Sequence, residues 1–258
     1  MTAQLAVMLA LLLSLPVVPQ AQAQPAGGAA VAEARYILHA GGITPSGGLG
    51  SNSLEALELS YGLGYRVMEL DFCWTEDGDL VCVHDWDRYY SWLQPVTMEA
   101  FEAVRGSTYG YTSMTLDTVA EWLEARPGAV VVTDIKENNL AGAALIAERY
   151  PALRDRFVIQ IYHMEEYDPV AALGFAQILT VYQMTWLEKV DTAALAEFAQ
   201  THPLAALAFP AELAARDGYV EALLAAGVPL YVHTVNDRAE QAALFGQGIS
   251  GVYTDFFS

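Results

Sequence analysis

Basic residues are scarce in this chain: 12 Lys and Arg stand against 31 Asp and Glu, a formal charge of −19. A surface of that sign repels polyanions at long range, which argues against nucleic acid and anionic membranes as bulk partners. It leaves room for a small anionic ligand, because a bound cation reverses the sign locally. Cysteine is limited to Cys73 and Cys82, so any disulfide is confined to that one pair. No GxGxxG or Walker pattern follows a strand-like run, which counts against a nucleotide-binding sheet. Beyond the first two dozen residues no stretch approaches ~20 unbroken apolar residues, so stable membrane insertion is not expected.

What is present begins with a leader. The apolar run Leu5 to Leu13 precedes Pro16 and the small-residue site Ala21-Gln22-Ala23. This reads as a secretory signal peptide cleaved after Ala23, although no Lys or Arg precedes the apolar run. No cysteine lies near that site to carry a lipid. The protein is therefore expected to be secreted or periplasmic. Residues 24–34, rich in Ala and Gly, read as a flexible linker, and residues 35–258 as one folded domain.

Within that domain, short β-branched and aromatic runs alternate with amphipathic stretches. The runs are Tyr36–His39, Val67–Trp74, Val130–Ile135, Val158–Tyr162, Ile178–Tyr182, Leu204–Phe209, Leu230–Val235 and Val252–Asp255. Helices are expected over Asn52–Tyr61 (capped by Asn52), Leu116–Ala125, Ala141–Tyr150, Glu165–Leu173, Thr192–Gln200, Gly218–Ala226 and Arg238–Phe245. Eight strand–helix units without a Pro-rich break suit a closed (β/α)₈ TIM barrel better than an open sheet. A β-hairpin excursion follows the second strand. Its loop is expected to be Asp77-Gly78, with Leu80–His84 returning. That two-residue loop places Cys73 opposite Cys82 and Asp71 opposite His84. The two cysteines are then either a cross-strand disulfide or two buried thiols.

Polar residues at the carboxyl ends of barrel strands form the usual active face. His39 ends the first strand; Glu69 and Asp71 sit two apart on the second and share a face; Asp134 and Lys136 sit two apart at the end of the third. Three converging carboxylates are costly when unpaired. A hard divalent cation, Ca²⁺ or Mg²⁺, resolves the conflict with oxygen ligands alone. Lys136 could instead neutralise the cluster as a buried ion pair. Two histidines beside such a site, His39 and His84, suit a general acid and a general base.

The segment Asn52–Asp87, NSLEALELSYGLGYRVMELDFCWTEDGDLVCVHDWD, resembles the core signature of the glycerophosphodiester phosphodiesterases. In that family a strand Glu-Leu-Asp is followed by a Thr-x-Asp-Gly hairpin and a His-Asp pair. The resemblance extends to His39-Ala40-Gly41-Gly42, Thr133–Lys136, Thr234-Val235-Asn236 and Gly251–Asp255, nearly the whole mature chain. It implies that His39 and His84 are the acid/base pair, that Glu69, Asp71 and Asp134 hold the metal, and that Lys136 contacts the phosphoryl group. The substrate it implies is a small phosphodiester. A substrate hydroxyl attacks phosphorus, one histidine takes its proton, the other protonates the leaving alcohol, and water opens the cyclic phosphate.

Three positions depart from the family pattern: Ala40 replaces an arginine, Ser51 a glutamate, and Asp134 a glutamate. The first two losses suggest a missing salt bridge. His233 stands where the family often has a pocket tryptophan, and is either a site residue or a structural histidine. Trp74, Trp86, Tyr89, Tyr90 and Trp92 form an apolar wall or pack the hairpin down; Trp74 joins Lys136 and His233 as a candidate substrate contact. His163 reads as a loop residue. Two alternative functions remain open. One is a cyclising activity on lysophospholipids, like that of the sphingomyelinase D group. The other is a barrel that binds a phosphate ligand without turning it over.

Overall fold

The computed structural model describes residues 25–87, 95–106, 110–181 and 191–256. The segment read from sequence as a signal peptide lies outside the described residues, as do Tyr89, Tyr90, Trp92 and Tyr182.

Nine strands are described: β1 (Tyr36–Leu38), β2 (Val67–Trp74), β3 (Leu80–Val81), β4 (Val130–Ile135), β5 (Phe157–Ile161), β6 (Ala176–Thr180), β7 (Ala206–Pro210), β8 (Leu230–His233) and β9 (Gly251–Thr254). All but β3 form a closed parallel ring, sealed by β1 pairing with both β2 and β9. This is the expected (β/α)₈ barrel, and each of the eight strand-like runs supplies one staff. β3 lies outside the ring, antiparallel to β2. The helices are α1 (Ala26–Glu33), α2 (Leu54–Gly62), α3 (Met98–Val104), α4 (Leu116–Ala125), α5 (Asn139–Arg149) and α6 (Tyr167–Ala172). They continue with α7 (Thr192–Thr201), α8 (Ala211–Ala214), α9 (Tyr219–Leu224) and α10 (Arg238–Gly246).

Strands covered on both faces read as nearly continuous apolar runs, yet the two-residue period sorts their side chains into two cores. Met68, Leu70 and Phe72 of β2, with Val131 and Ile135 of β4, join the layer between barrel and helices. Val67, Val130, Val132, Val158, Ala176, Ile178, Ala206, Ala208 and Tyr231 pack inside the ring. β2 and β4 run in register, Val67 beside Val130 and Asp71 beside Asp134. The inward positions are therefore apolar at the amino end of the barrel and acidic at the carboxyl end.

Three expectations are corrected. The Ala/Gly-rich segment is not a flexible linker: Ala26–Glu33 is a helix, with Val31 fully buried among the inward-facing valines and alanines. Its small residues carry little periodic signal, and packing rather than propensity holds it. A Cβ on Gly27 would stand 2.6 Å from the Asp155 carbonyl oxygen, so only glycine lets the helix seat so closely. The Tyr231 hydroxyl ties it down, its one proton shared between the carbonyls of Val31 and Ala34.

The hairpin register differs by one residue. Thr75 N–H donates to Asp79 O at 2.8 Å, leaving a three-residue loop with Gly78 at φ 84°. A left-handed residue closing a three-residue loop is the next most common hairpin solution after the two-residue turn. The one-residue shift places Cys73 opposite Val81 and Trp74 opposite Leu80. Cys73 and Cys82 are both buried free thiols, and Cys73 Sγ lies 3.6 Å from the His84 carbonyl. The first barrel helix is capped by Ser53, whose Oγ accepts from Ala56 N–H, and not by Asn52. Asn52 has a task at the site instead.

Candidate active site

The carboxyl ends of the strands open into a cavity of about 480 Å³. It is lined by His39, Glu69, Asp71, His84, Asp134 and Lys136, and also by His233 and His163. Four of the chain's five histidines thus face one cavity. The sequence brought most of the expected set together. Trp74 is the exception: its indole N–H donates to Glu137 O at 2.7 Å and its ring packs with the outer core, away from the cavity lining.

Glu69, Asp71 and Asp134 are each at most 6% exposed, and one oxygen of each lies within 4.8 Å of the others. Each carboxylate is held differently. Glu69 Oε2 accepts from Ala40 N–H at 2.8 Å, while Oε1 is buried with no hydrogen-bond partner. Asp71 is clasped by Asn52, whose Nδ2 donates to Oδ2 at 2.8 Å and whose Oδ1 accepts from the Asp71 N–H at 2.9 Å. Asn52 reaches it from a left-handed backbone, φ 50°, which Asn tolerates better than most residues. Asp134 Oδ1 accepts from the Tyr162 hydroxyl. Lys136 Nζ bridges the other two oxygens, 2.6 Å from Asp71 and 2.8 Å from Asp134.

The charges do not balance. Burial and the neighbouring Asp71 charge push the Glu69 carboxyl well above its ordinary range. Burial works against the Lys136 ammonium, but Asp71 and Asp134 more than offset it and hold its pKa high. An orphaned carboxylate oxygen in an oxygen-only cluster fits a hard divalent cation. Zinc sites favour histidine or cysteine ligands.

His39 follows β1 and is anchored through Nδ1, 2.7 Å from Asp255 Oδ1. Asp255 is itself fixed: Asn236 Nδ2 donates to Oδ2 at 2.6 Å and Asn236 Oδ1 accepts from the Asp255 N–H at 2.8 Å. With Nδ1 so engaged, Nε2 is the nitrogen left for chemistry. Burial lowers the His39 pKa, but the Asp255 hydrogen bond and the charges of Glu69, Asp255 and Asp71 outweigh it and lift it to about 9. His84 enters from the loop after β3, its Nδ1 2.6 Å from Asp85 Oδ2 and its side chain 44% exposed. A loop, not the expected ladder pairing with Asp71, delivers it. His233 ends β8 edge-on to Tyr253, with ring centroids 6.2 Å apart. Burial drives its pKa down to about 4, so it is neutral at physiological pH.

Several lining residues were not singled out from sequence. Gln160 and Thr180 are inward positions of β5 and β6, joined by a 3.0 Å hydrogen bond, and Tyr253 OH donates to the same Gln160 oxygen at 2.9 Å. Strand parity alone marks Gln160 and Thr180, two residues beyond the inward Val158 and Ile178. Tyr162 and His163, the latter read only as a loop residue, line the cavity from beyond the end of β5; Asp255 and Asn236 stand behind His39, past the strand ends where parity stops. The two departures at Ala40 and Ser51 meet on adjoining backbone, where Asn52 N–H donates to Ala40 O at 3.2 Å.

Residues 39–258 match the model of the glycerophosphoryl diester phosphodiesterase family. The barrel is similar to that of the glycerophosphodiester phosphodiesterase of Thermotoga maritima, with a TM-score of 0.69, 20% identity, and 86% of this chain and 94% of that one covered. It is similar to a phosphodiesterase of Oleispira antarctica solved with the product sn-glycerol-3-phosphate (TM-score 0.64, 20% identity, 86% and 93% covered). An enzyme of Parabacteroides distasonis gives 0.67, 19%, 86% and 93%. Together with the acidic trio and paired histidines at the mouth of the barrel, the match over most of its length places the chain in the glycerophosphodiester phosphodiesterase family of phosphoric diester hydrolases.

Proposed function

We propose that the protein cleaves small glycerophosphodiesters to an alcohol and a phosphomonoester by histidine acid/base catalysis with Ca²⁺ or Mg²⁺ bound. The observation that carries this reading is the convergence of His39, His84 and three carboxylates on one cavity. Glu69, Asp71 and Asp134 would hold the cation, which when bound offsets charge on the phosphoryl oxygens. Lys136 lines the same cavity and adds a fixed positive charge for the phosphate. His39 and His84 divide the proton transfers, one taking the proton of the attacking hydroxyl and one giving a proton to the leaving oxygen. His233, neutral and buried beside Tyr253, is suited to contact an uncharged part of the substrate. The expected destination is outside the cytoplasm, and the N-terminal sequence of the exported protein tests cleavage after Ala23.

Phosphorus NMR of glycerophosphocholine and glycerophosphoethanolamine, with Ca²⁺ or Mg²⁺ and with chelator, tests the chemistry. A phosphomonoester that appears only with metal is expected. His39→Ala and His84→Ala should each slow its release by about 10²- to 10⁴-fold. Full turnover by both variants would remove the acid/base assignment.

A further inference from the structure

We infer that Lys136 is a built-in competitor for the cation, so that the lysine weakens metal binding at the site it completes. The inference depends on the metal reading above. The ammonium lies 2.6 Å from Asp71 Oδ1 and 2.8 Å from Asp134 Oδ2, occupying one oxygen on each of two prospective ligands. The remaining oxygens of those residues are not idle: Asn52 donates to Asp71 Oδ2 and Tyr162 to Asp134 Oδ1. Only Glu69 Oε1 has no hydrogen-bond partner among the oxygens of the trio. A divalent ion entering beside Glu69 therefore has to share oxygens that already serve an ammonium or a hydrogen-bond donor.

Electrostatics gives the same sign. The trio carries three formal negative charges and Lys136 returns one positive. A fixed positive charge in contact with two of the prospective ligands opposes the binding of a second cation there. Lys136 is partly open to solvent, its side chain 25% exposed, so the effect is reduced without being abolished. The lysine also prevents the bare carboxylates from repelling one another when no metal is bound. The outcome is a site that stays folded while empty and releases its ion readily. A lysine serving only as scaffold would behave in the opposite way: its removal would loosen Asp71 and Asp134 and weaken the ion's hold.

The test is calorimetric titration of Ca²⁺ and of Mg²⁺ into the metal-free protein and into Lys136→Met and Lys136→Arg. It is run at about pH 9, where protons compete least for carboxylates. Lys136→Met should bind metal about tenfold more tightly or better, Lys136→Arg within a few-fold of the parent. The rise in Tm on adding metal should be larger in Lys136→Met than in the parent, even if that variant starts less stable. Equal or weaker binding by a folded Lys136→Met, with the parent binding normally, overturns the inference alone. If Lys136→Met does not fold without metal, Lys136→Gln replaces it with the same expectation. If neither parent nor variants bind metal, the metal reading fails and takes this inference with it.

Discussion

The two ends of the barrel are built from the same strands and solve opposite problems. At the amino end the inward side chains are Val67, Val130, Val158, Ala176 and Ala206, capped by a helix of small residues. At the carboxyl end, on the same inward faces, stand Asp71, Asp134, Gln160, Thr180 and His233 around an open cavity. The floor buries apolar area and leaves no room; the mouth keeps room and buries charge. Stability and chemistry are thereby separated by two to four residues along a strand, about 7 to 13 Å at strand rise. Substitutions at the mouth should change rate, and those at the floor should change stability.

The largest effects are expected at the mouth. Beyond the two histidines, Asp255→Asn sharpens the comparison because it retains shape and removes a charge. Asp255 joins Nδ1 of His39 to Asn236. An amide there can accept from Nδ1 or donate to it, so the tautomer is no longer fixed. kcat should fall about tenfold or more with KM nearly unchanged, and Asp255→Glu should recover part of it. A variant that lost KM and kcat together, or lost stability by several kcal/mol, would show Asp255 to be a strut.

The same pair makes a prediction about pH. Against the lowering effect of burial, the Asp255 hydrogen bond and the surrounding carboxylates raise the His39 pKa from an ordinary 6.5 to about 9. A raised histidine binds its proton more tightly when folded, so its stabilising contribution is complete below pH 6.5 and is lost as pH rises towards 9. In the presence of chelator, Tm should therefore decline between those two values. Asp255→Asn should flatten the decline. A bound divalent cation should also reduce it, since its charge opposes protonation of His39.

How much of this contrast is legible in sequence follows from the physics of each feature. The eight strands are readable because strands buried on both faces leave dense apolar runs, Glu69 and Asp71 because two-residue spacing fixes a shared face, and Asp134 because it ends the next strand run. His84 was placed correctly beside the trio by an incorrect register. The family motif carries the residue, but a Thr-x-Asp-Gly-Asp sequence does not disclose whether its loop holds two residues or three. Asn52, Tyr162 and Asp255 act through contacts 19, 28 and 216 residues away in the chain, which no local pattern encodes. Asn52 in particular reads as a helix cap, since caps and ligand clasps use the same short amide. Helix α1 was missed for the converse reason: glycine and alanine signal flexibility by composition and close packing only in context.

That last ambiguity gives the smallest expected effect and the one whose sign decides most. Gly27→Ala adds a single methyl to α1. In a helix that touches nothing, alanine is better than glycine by about 1 kcal/mol, so a loosely tethered segment would be stabilised or unchanged. In the docked helix the new Cβ meets the Asp155 carbonyl oxygen at 2.6 Å and Val158 Cγ2 at 3.2 Å. Backbone oxygen cannot rotate away, and forcing a methyl into packed surroundings costs about 1–3 kcal/mol. Gly246→Ala, at the end of α10 with nothing within 4 Å of the added carbon, supplies the control with the same propensity gain and no clash. Denaturant unfolding of the two variants should therefore move in opposite directions, with kcat of the first unchanged. A stabilised Gly27→Ala would mean that α1 does not seal the barrel in solution, and that the apolar floor closes by its strand residues alone.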